Sequence, residues 1–252
     1  MKVLWIRKRH MVLLGGLLLA FAVFWTVNAP ANVAASVATR QLPIYCVDRN
    51  DNVISISFDA AWGNEDTQKL IDILARYDVK TTFFVVGEWV DKYPESVRAL
   101  HDAGHEIMNH SKDHAHYNSL STEEIIADVN ACNDKIEAIT GVRPTLIRCP
   151  YGEYDDHVIA AIRSIGMEPI QWDTDSLDWK DLSAAEITKR VTGKAKSGSI
   201  CLFHNAALHT PEALPSILEY FKNNGYTVVP ISKILLTGEY YMDHTGKQSP
   251  VR

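Results

Sequence analysis

The chain has 252 residues, of which 46% are hydrophobic, 22% are charged, 13 are Gly and 10 are Pro. These are values of an ordinary globular domain and exclude a fibrous, low-complexity or multi-span membrane protein. The formal charge is −6, and four cations (Lys2, Arg7, Lys8, Arg9) crowd into the first ten residues, so the remainder carries −10. Binding of nucleic-acid phosphate as the main activity, which draws on clustered Lys and Arg, is excluded.

In chain order, Met1–His10 is basic, Met11–Val27 is an uncharged stretch of seventeen residues, and Asn28–Ser36 is small and polar. This is the pattern of an export leader. It is either cut near Ala29–Ala35 or kept as one membrane helix, with an apolar core at 11–27 at the lower edge of a bilayer span. The lack of a distinct Ala-x-Ala site favours the signal-anchor. The basic flank then stays cytoplasmic, and the bulk of the chain lies on the outer face of the membrane, or is secreted if the leader is cut. Residues 1–38 thus form the leader, 39–238 a single domain and 239–252 a polar C-terminal tail.

Apolar runs Val53–Phe58, Thr82–Val86, Glu106–Met108, Thr145–Ile147, Glu168–Trp172, Ser199–Phe203 and Tyr226–Val229 predict strands. Helical spacing links Leu70, Ile73, Leu74 and Tyr77, and again Ile125, Val129, Cys132 and Ile136. Ser121 with Glu124 and Ser183 with Glu186 predict capping boxes at two helix starts. Alternation of strand and helix implies a parallel sheet covered by helices, either a small barrel or a doubly wound sheet. The four cysteines Cys46, Cys132, Cys149 and Cys201 lack CxxC spacing and read as buried apolar residues.

Polar residues stand at the carboxyl ends of these strands: Asp59, His110, Arg148, Asp173 with Asp175, and His204. That edge is where parallel α/β folds do chemistry. Each alone serves equally well as a turn-former; five together do not. His110 and His114 are four apart, a spacing that on a helical turn lets both rings reach one divalent cation, with zinc, cobalt, nickel and manganese all suited. Asp59 is placed as a general base and His204, with an acid nearby, as a general acid. Arg148 can hold a neighbouring carboxylate, and Pro150-Tyr151-Gly152 forces a sharp loop whose N–H groups can face an oxyanion. Trp62 and Trp179, beside acidic loops, are placed to stack on a sugar ring; Trp89 and Trp172 read as core.

The order Ser57-Phe58-Asp59, His110-Ser-x-x-His114, Arg148-x-Pro-Tyr-Gly, Asp175-x-x-Asp178-Trp179 and Leu202-x-His204 resembles the polysaccharide deacetylases, the NodB-homology carbohydrate esterases of family four. The resemblance spans Val53 to Leu236. It implies a distorted (β/α)7 barrel and metal-dependent removal of N-acetyl groups from N-acetylglucosamine-containing polymers. It further implies Asp59 as base, His110 and His114 as metal ligands, and Arg148 as the residue holding the base. Tyr151 would contribute a backbone N–H to the oxyanion, Asp175 would tune the histidine, Leu202 would wall the acetyl pocket, and His204 would be the acid. The family usually has a second aspartate, the third metal ligand, where this chain has Ala60. The form Phe-Asp-x-x-Trp-Gly resembles a membrane-anchored, sporulation-associated branch acting on cell-wall peptidoglycan. Two other functions stay open: an anchored glycan-binding homologue of weak activity, and another metal-assisted amidase.

Overall fold

The computed structural model describes residues 40–251; the leader predicted at 1–38 lies outside them. Among the described residues no helix is long and apolar enough to cross a membrane.

The organising strand is β2 (Val53–Ala60), preceded by the two-residue β1 (Cys46–Val47). Its side chains alternate between faces. Ile54, Ile56, Phe58 and Ala60 join an apolar cluster with the covering helices. Ser55, Ser57 and Asp59 occupy the opposite face, which closes around the interior. Parallel neighbours follow on both sides: β3 (Thr82–Val85), β4 (Glu106–Asn109), β5 (Leu146–Ile147) and β6 (Glu168–Pro169) in one direction, and β8 (Ile200–His204) and β7 (Thr174–Asp175) in the other. A short β9 (Thr227–Val228) pairs with the start of β2. Every ladder of this sheet is parallel. The result is a curled, barrel-like sheet with helices outside, the class expected from the alternation of elements.

The helices are α1 (Thr67–Arg76), α2 (Gly87–Lys92), α3 (Pro94–Asp102), α4 (Thr122–Thr140), α5 (Asp156–Ser164), α6 (Ala184–Thr192), α7 (Thr210–Asn223) and the single turn α8 (Ile231–Ile234). The first buries Leu70, Ile73 and Leu74, while Tyr77 sits just past its end. The longest, α4, buries Ile125, Val129, Cys132 and Ile136 as its stripe predicts. Both capping boxes form, Ser121 with Glu124 and Ser183 with Glu186. Phe58 stacks on Phe83, their ring centroids 4.8 Å apart, and meets Phe203 at 5.7 Å, knitting β2, β3 and β8 together on the helix side. Cys132, Cys149 and Cys201 are buried free thiols and Cys46 is half-buried.

The C-terminal stretch corrects the expectation of a polar tail. Tyr240–Met242 (β10) and Lys247–Pro250 (β11) form an antiparallel hairpin, and β11 pairs with β1. Polarity disguised it, because the strand carries Gln248 and Ser249, both buried. Gln248 is satisfied by Leu236, whose N–H it accepts at 2.8 Å. Asp243 Oδ1 accepts the N–H groups of Thr245 and Lys247, and Gly246 adopts φ +78°, which closes the turn. This hairpin backs the segment that spans the barrel's open seam: Ile44 N–H donates to Pro169 O at 3.0 Å and Val47 N–H to Gly198 O at 2.9 Å.

Candidate active site

Register places the two central side chains. In the β2–β8 ladder Asp59 lies opposite His204, and in-register residues of parallel strands share a face. Asp59 is buried, and its carboxylate is held from behind by Arg148, which is fully buried and follows β5. Arg148 Nη1 donates to Asp59 Oδ1 at 2.6 Å, and Nη2 donates to Ser57 Oγ at 2.9 Å. The guanidinium lies over Phe84, 4.3 Å from the ring centroid, and 5.5 Å from that of Trp172. Burial pushes the Asp59 carboxyl up, but the charges of Arg148, His110 and His204 outweigh it and hold it below the ordinary carboxylate value. Asp59 is therefore an anion at neutral pH.

His110 Nδ1 lies 2.7 Å from Arg148 O. A carbonyl only accepts, so Nδ1 carries the hydrogen and Nε2 keeps its lone pair. Nε2 stands 3.6 Å from Asp59 Oδ2. Burial lowers the His110 pKa in spite of Asp59, and this contact is that of a neutral ring beside a carboxylate. His114 is brought to within 5.0 Å of it, centroid to centroid, and burial followed by the charge of His110 holds its pKa at about 4.

The two rings converge, but not from a helical turn as their spacing suggested. The loop after β4 is extended and bends at Ser111 and His114, whose φ angles are +71° and +61°. Side chains impose this shape. Asn109 Oδ1 accepts Ser111 N–H at 2.7 Å, Ser111 Oγ accepts His114 N–H at 2.7 Å, and Asp128 on α4 accepts Lys112 N–H at 2.9 Å.

On the other wall, the histidine partner is Asp178, not Asp175, the acid that the resemblance implies. Asp178 Oδ1 accepts from His204 Nδ1 at 2.8 Å, and Oδ2 accepts from His204 N–H at 2.8 Å and from Thr210 Oγ1 at 2.6 Å. Burial would lower the His204 pKa, but its hydrogen bond to Asp178 and that charge, with Asp59 and Asp175 beyond, raise it. Both aspartates were visible in one motif. The choice turns on Leu177, whose left-handed φ of +54° folds the chain back toward His204. Asp175 instead accepts Leu177 N–H at 2.8 Å.

These walls enclose a cavity of about 410 Å³ lined by Asp59, His110, His114, Asp175 and His204, with Leu202 and Trp172 as apolar surface. Trp172 is thus a cavity residue and not plain core, while Trp89 is core. Three aromatics line the mouth half-open to solvent: Trp62 is 56%, Tyr151 57% and Trp179 51% exposed. Trp62 packs on the His204 ring at 5.8 Å, and Tyr151, held at φ +58°, stacks on His116 at 4.1 Å. Of the predicted site residues only Arg148 is absent from the lining, because it lies behind Asp59.

The donor set stops short of a metal centre. Catalytic zinc-type sites draw on three protein ligands. Here two imidazoles face one another, Asp59 Oδ1 is taken by Arg148, and Ala60 is buried in the apolar cluster with Phe58 and lines no part of the cavity. Among the described residues no group of three or more His, Cys, Asp or Glu side chains is arranged to hold an ion. The residues present do not fit the three-ligand site that the resemblance implies.

A family profile described as polysaccharide deacetylase matches residues 47–170. Peptidoglycan-N-acetylmuramic acid deacetylase PdaC of Bacillus subtilis is 35% identical over 188 residues, covering 75% of this chain and 40% of that one. Its solved structure superposes with a TM-score of 0.67, covering 75% of this chain and 92% of the crystallised one. The chain belongs to the polysaccharide deacetylase family. Peptidoglycan-N-acetylglucosamine deacetylase PgdA of Listeria monocytogenes is 32% identical, covering 86% of this chain and 48% of that one. The chain thus spans about half the length, or less, of these two curated relatives. A CE4 family pseudoenzyme from Bacillus anthracis is 33% identical with a TM-score of 0.74, covering 77% of this chain and 68% of that one. A mutant of that protein is described as having restored enzymatic activity.

Proposed function

We propose that this chain is an N-deacetylase of N-acetylglucosamine-containing polymers, with peptidoglycan as substrate, exported and held at the outer face of the membrane by its N-terminal segment. The observation that carries this reading is the pair His204–Asp178. A buried carboxylate spends two of its hydrogen bonds on one histidine and favours its protonated state. Binding alone has no use for a proton donor. In this reading Trp62 and Trp179 flank the sugar ring, and the acetyl methyl rests against Leu202 and Trp172. Asp59, kept anionic by Arg148, accepts a proton from the attacking water, and the N–H of Tyr151 faces the developing oxyanion. His204 then protonates the leaving amine as acetate departs.

What this arrangement lacks is strong polarisation of the acetamide carbonyl, an effect that a Lewis acid supplies at several kcal/mol. Two histidines without a third protein ligand would hold zinc, cobalt, nickel or manganese only loosely, so the residues themselves support at most a slow turnover. The buried methyl of Ala60 favours a second reading, glycan binding without hydrolysis. Acetate release by the full-length chain from acetylated peptidoglycan and chitin oligomers, with and without each ion, separates the two. Slow release that is lost in His204→Ala supports the deacetylase. Release no faster than in the Asp59→Asn/His204→Ala double variant, alongside measurable oligomer binding, leaves the binder. Cleavage of peptide amides in place of acetamides would instead move the chain among other amidases.

A further inference from the structure

One charged group of the cavity contacts none of the groups that carry this chemistry and acts on His204 only at a distance. Asp175, at the end of β7, lines the cavity together with Asp59 and His204. Among the described residues the only hydrogen bond its carboxylate accepts is Leu177 N–H to Oδ1, and no Lys, Arg or His nitrogen of theirs lies within 4.0 Å of it. Each neighbouring cation is committed elsewhere. Arg148 is bound to Asp59, His204 to Asp178, and Arg190 donates to the backbone oxygen of Asp175, 2.7 Å from its Nε. Lys180 lies over the Trp179 ring, 4.8 Å from its centroid. Of the two carboxylates that line the cavity, Asp59 is therefore paired directly with a protein cation, whereas Asp175 has none in contact and presents its negative charge at the wall.

A ligand that brings its own positive charge answers this arrangement, and one that brings a carboxylate meets repulsion. We infer that the cavity prefers a cationic 2-amino sugar, the deacetylated glucosamine unit, to the acetylated sugar, and disfavours the lactyl carboxylate of muramic acid. The inference rests on the reading of the cavity as a glycan site and refines it. It makes the protein one that stays with stretches of polymer already stripped of acetyl groups, with Asp175 facing the ammonium.

Calorimetric titration of the full-length chain with β-1,4-linked glucosamine pentamer, N-acetylglucosamine pentamer and cellopentaose tests it. The expected result is about tenfold tighter binding of the glucosamine pentamer than of the acetylated one, the scale of one hydrogen bond between charged groups. Asp175→Asn keeps an oxygen for Leu177 N–H and should erase that preference. Asp181→Asn, at an exposed acid outside the cavity lining, should keep it. Equal binding, or tighter binding of the acetylated pentamer, overturns the inference and leaves the glycan site standing. A preference that survives Asp175→Asn, or falls equally in Asp181→Asn, overturns the role given to Asp175. Failure of all three sugars to bind removes the glycan site and the inference with it.

Discussion

The two walls of the cavity are built to different standards. On the β8 side, His204 is fastened to a fully buried carboxylate that accepts hydrogen bonds from His204, Thr210 and the Trp179 N–H, so both the proton and the ring orientation are fixed before any ligand arrives. On the β4 side, equal care goes into shaping the loop that presents His110 and His114, yet no third protein ligand joins the pair, since Ala60 packs in the apolar cluster on the other face of β2. Preorganisation of donors and completeness of a donor set are thus separate properties. Asn109, Ser111 and Asp128 preserve the first where the second is missing.

The largest expected effect comes from the buried cation that both walls lean on. Replacing Arg148 by Met strands Asp59 in an apolar setting and should cost about 3–5 kcal/mol, read as a shift in the urea midpoint. The pH sense follows from the depressed Asp59 pKa. The stabilisation is present above the ordinary carboxylate value and is lost as pH falls through the native one, so wild type and variant should converge in acid. Equal loss at every pH would show that packing of the guanidinium on Phe84, and not its charge, is what matters.

Asp178→Asn comes next, at about 2–3 kcal/mol for disturbing a buried charged hydrogen-bond network. Here the sign is opposite. His204 has a raised native pKa, so its contribution is complete below the ordinary histidine value near 6.5 and disappears as pH rises through the native pKa. The stability gap between wild type and variant should be widest in mild acid. An NMR titration should show the His204 pKa falling in the variant; an unchanged value would transfer the proton-holding role to another group.

Ala60→Asp addresses the weaker wall. A third ligand should tighten zinc in a chelator competition and raise acetate release with it. Because Ala60 packs with Phe58 and Phe83, the metal-free variant should also be less stable than wild type. Unaltered zinc affinity would mean that the strand end cannot turn a carboxylate toward the histidines. Smallest is Ser121→Ala, which removes one half of a capping box at the start of α4. About 1 kcal/mol is expected, with cavity function intact.

Most of this geometry could be read from the residues because its cause is local. Strand ends are marked by the switch from apolar to polar side chains, and that placed Asp59, Arg148 and His204 at one edge. The capping boxes were legible since their partners are three residues apart. What escaped depended on backbone angles and distant contacts. Whether Asp175 or Asp178 meets His204 is decided by one left-handed residue at Leu177, and the shape of the histidine loop by two more. The hairpin β10–β11 was hidden because its burial relies on β1, some 200 residues away in sequence, and not on apolar patterning of its own.

The sealed thiols provide a clock. Burial pushes the Cys132 and Cys149 thiols up to about 12 and raises Cys201 as well, whereas Cys46, pushed to about 11, is only half covered at the seam. Since thiolate is the reacting species, an aromatic disulfide reagent should modify Cys46 slowly but directly, and the other three only as fast as the barrel opens. The colour released would thus count fraying at the seam and global opening in separate phases, in any of the variants above, without a label being added.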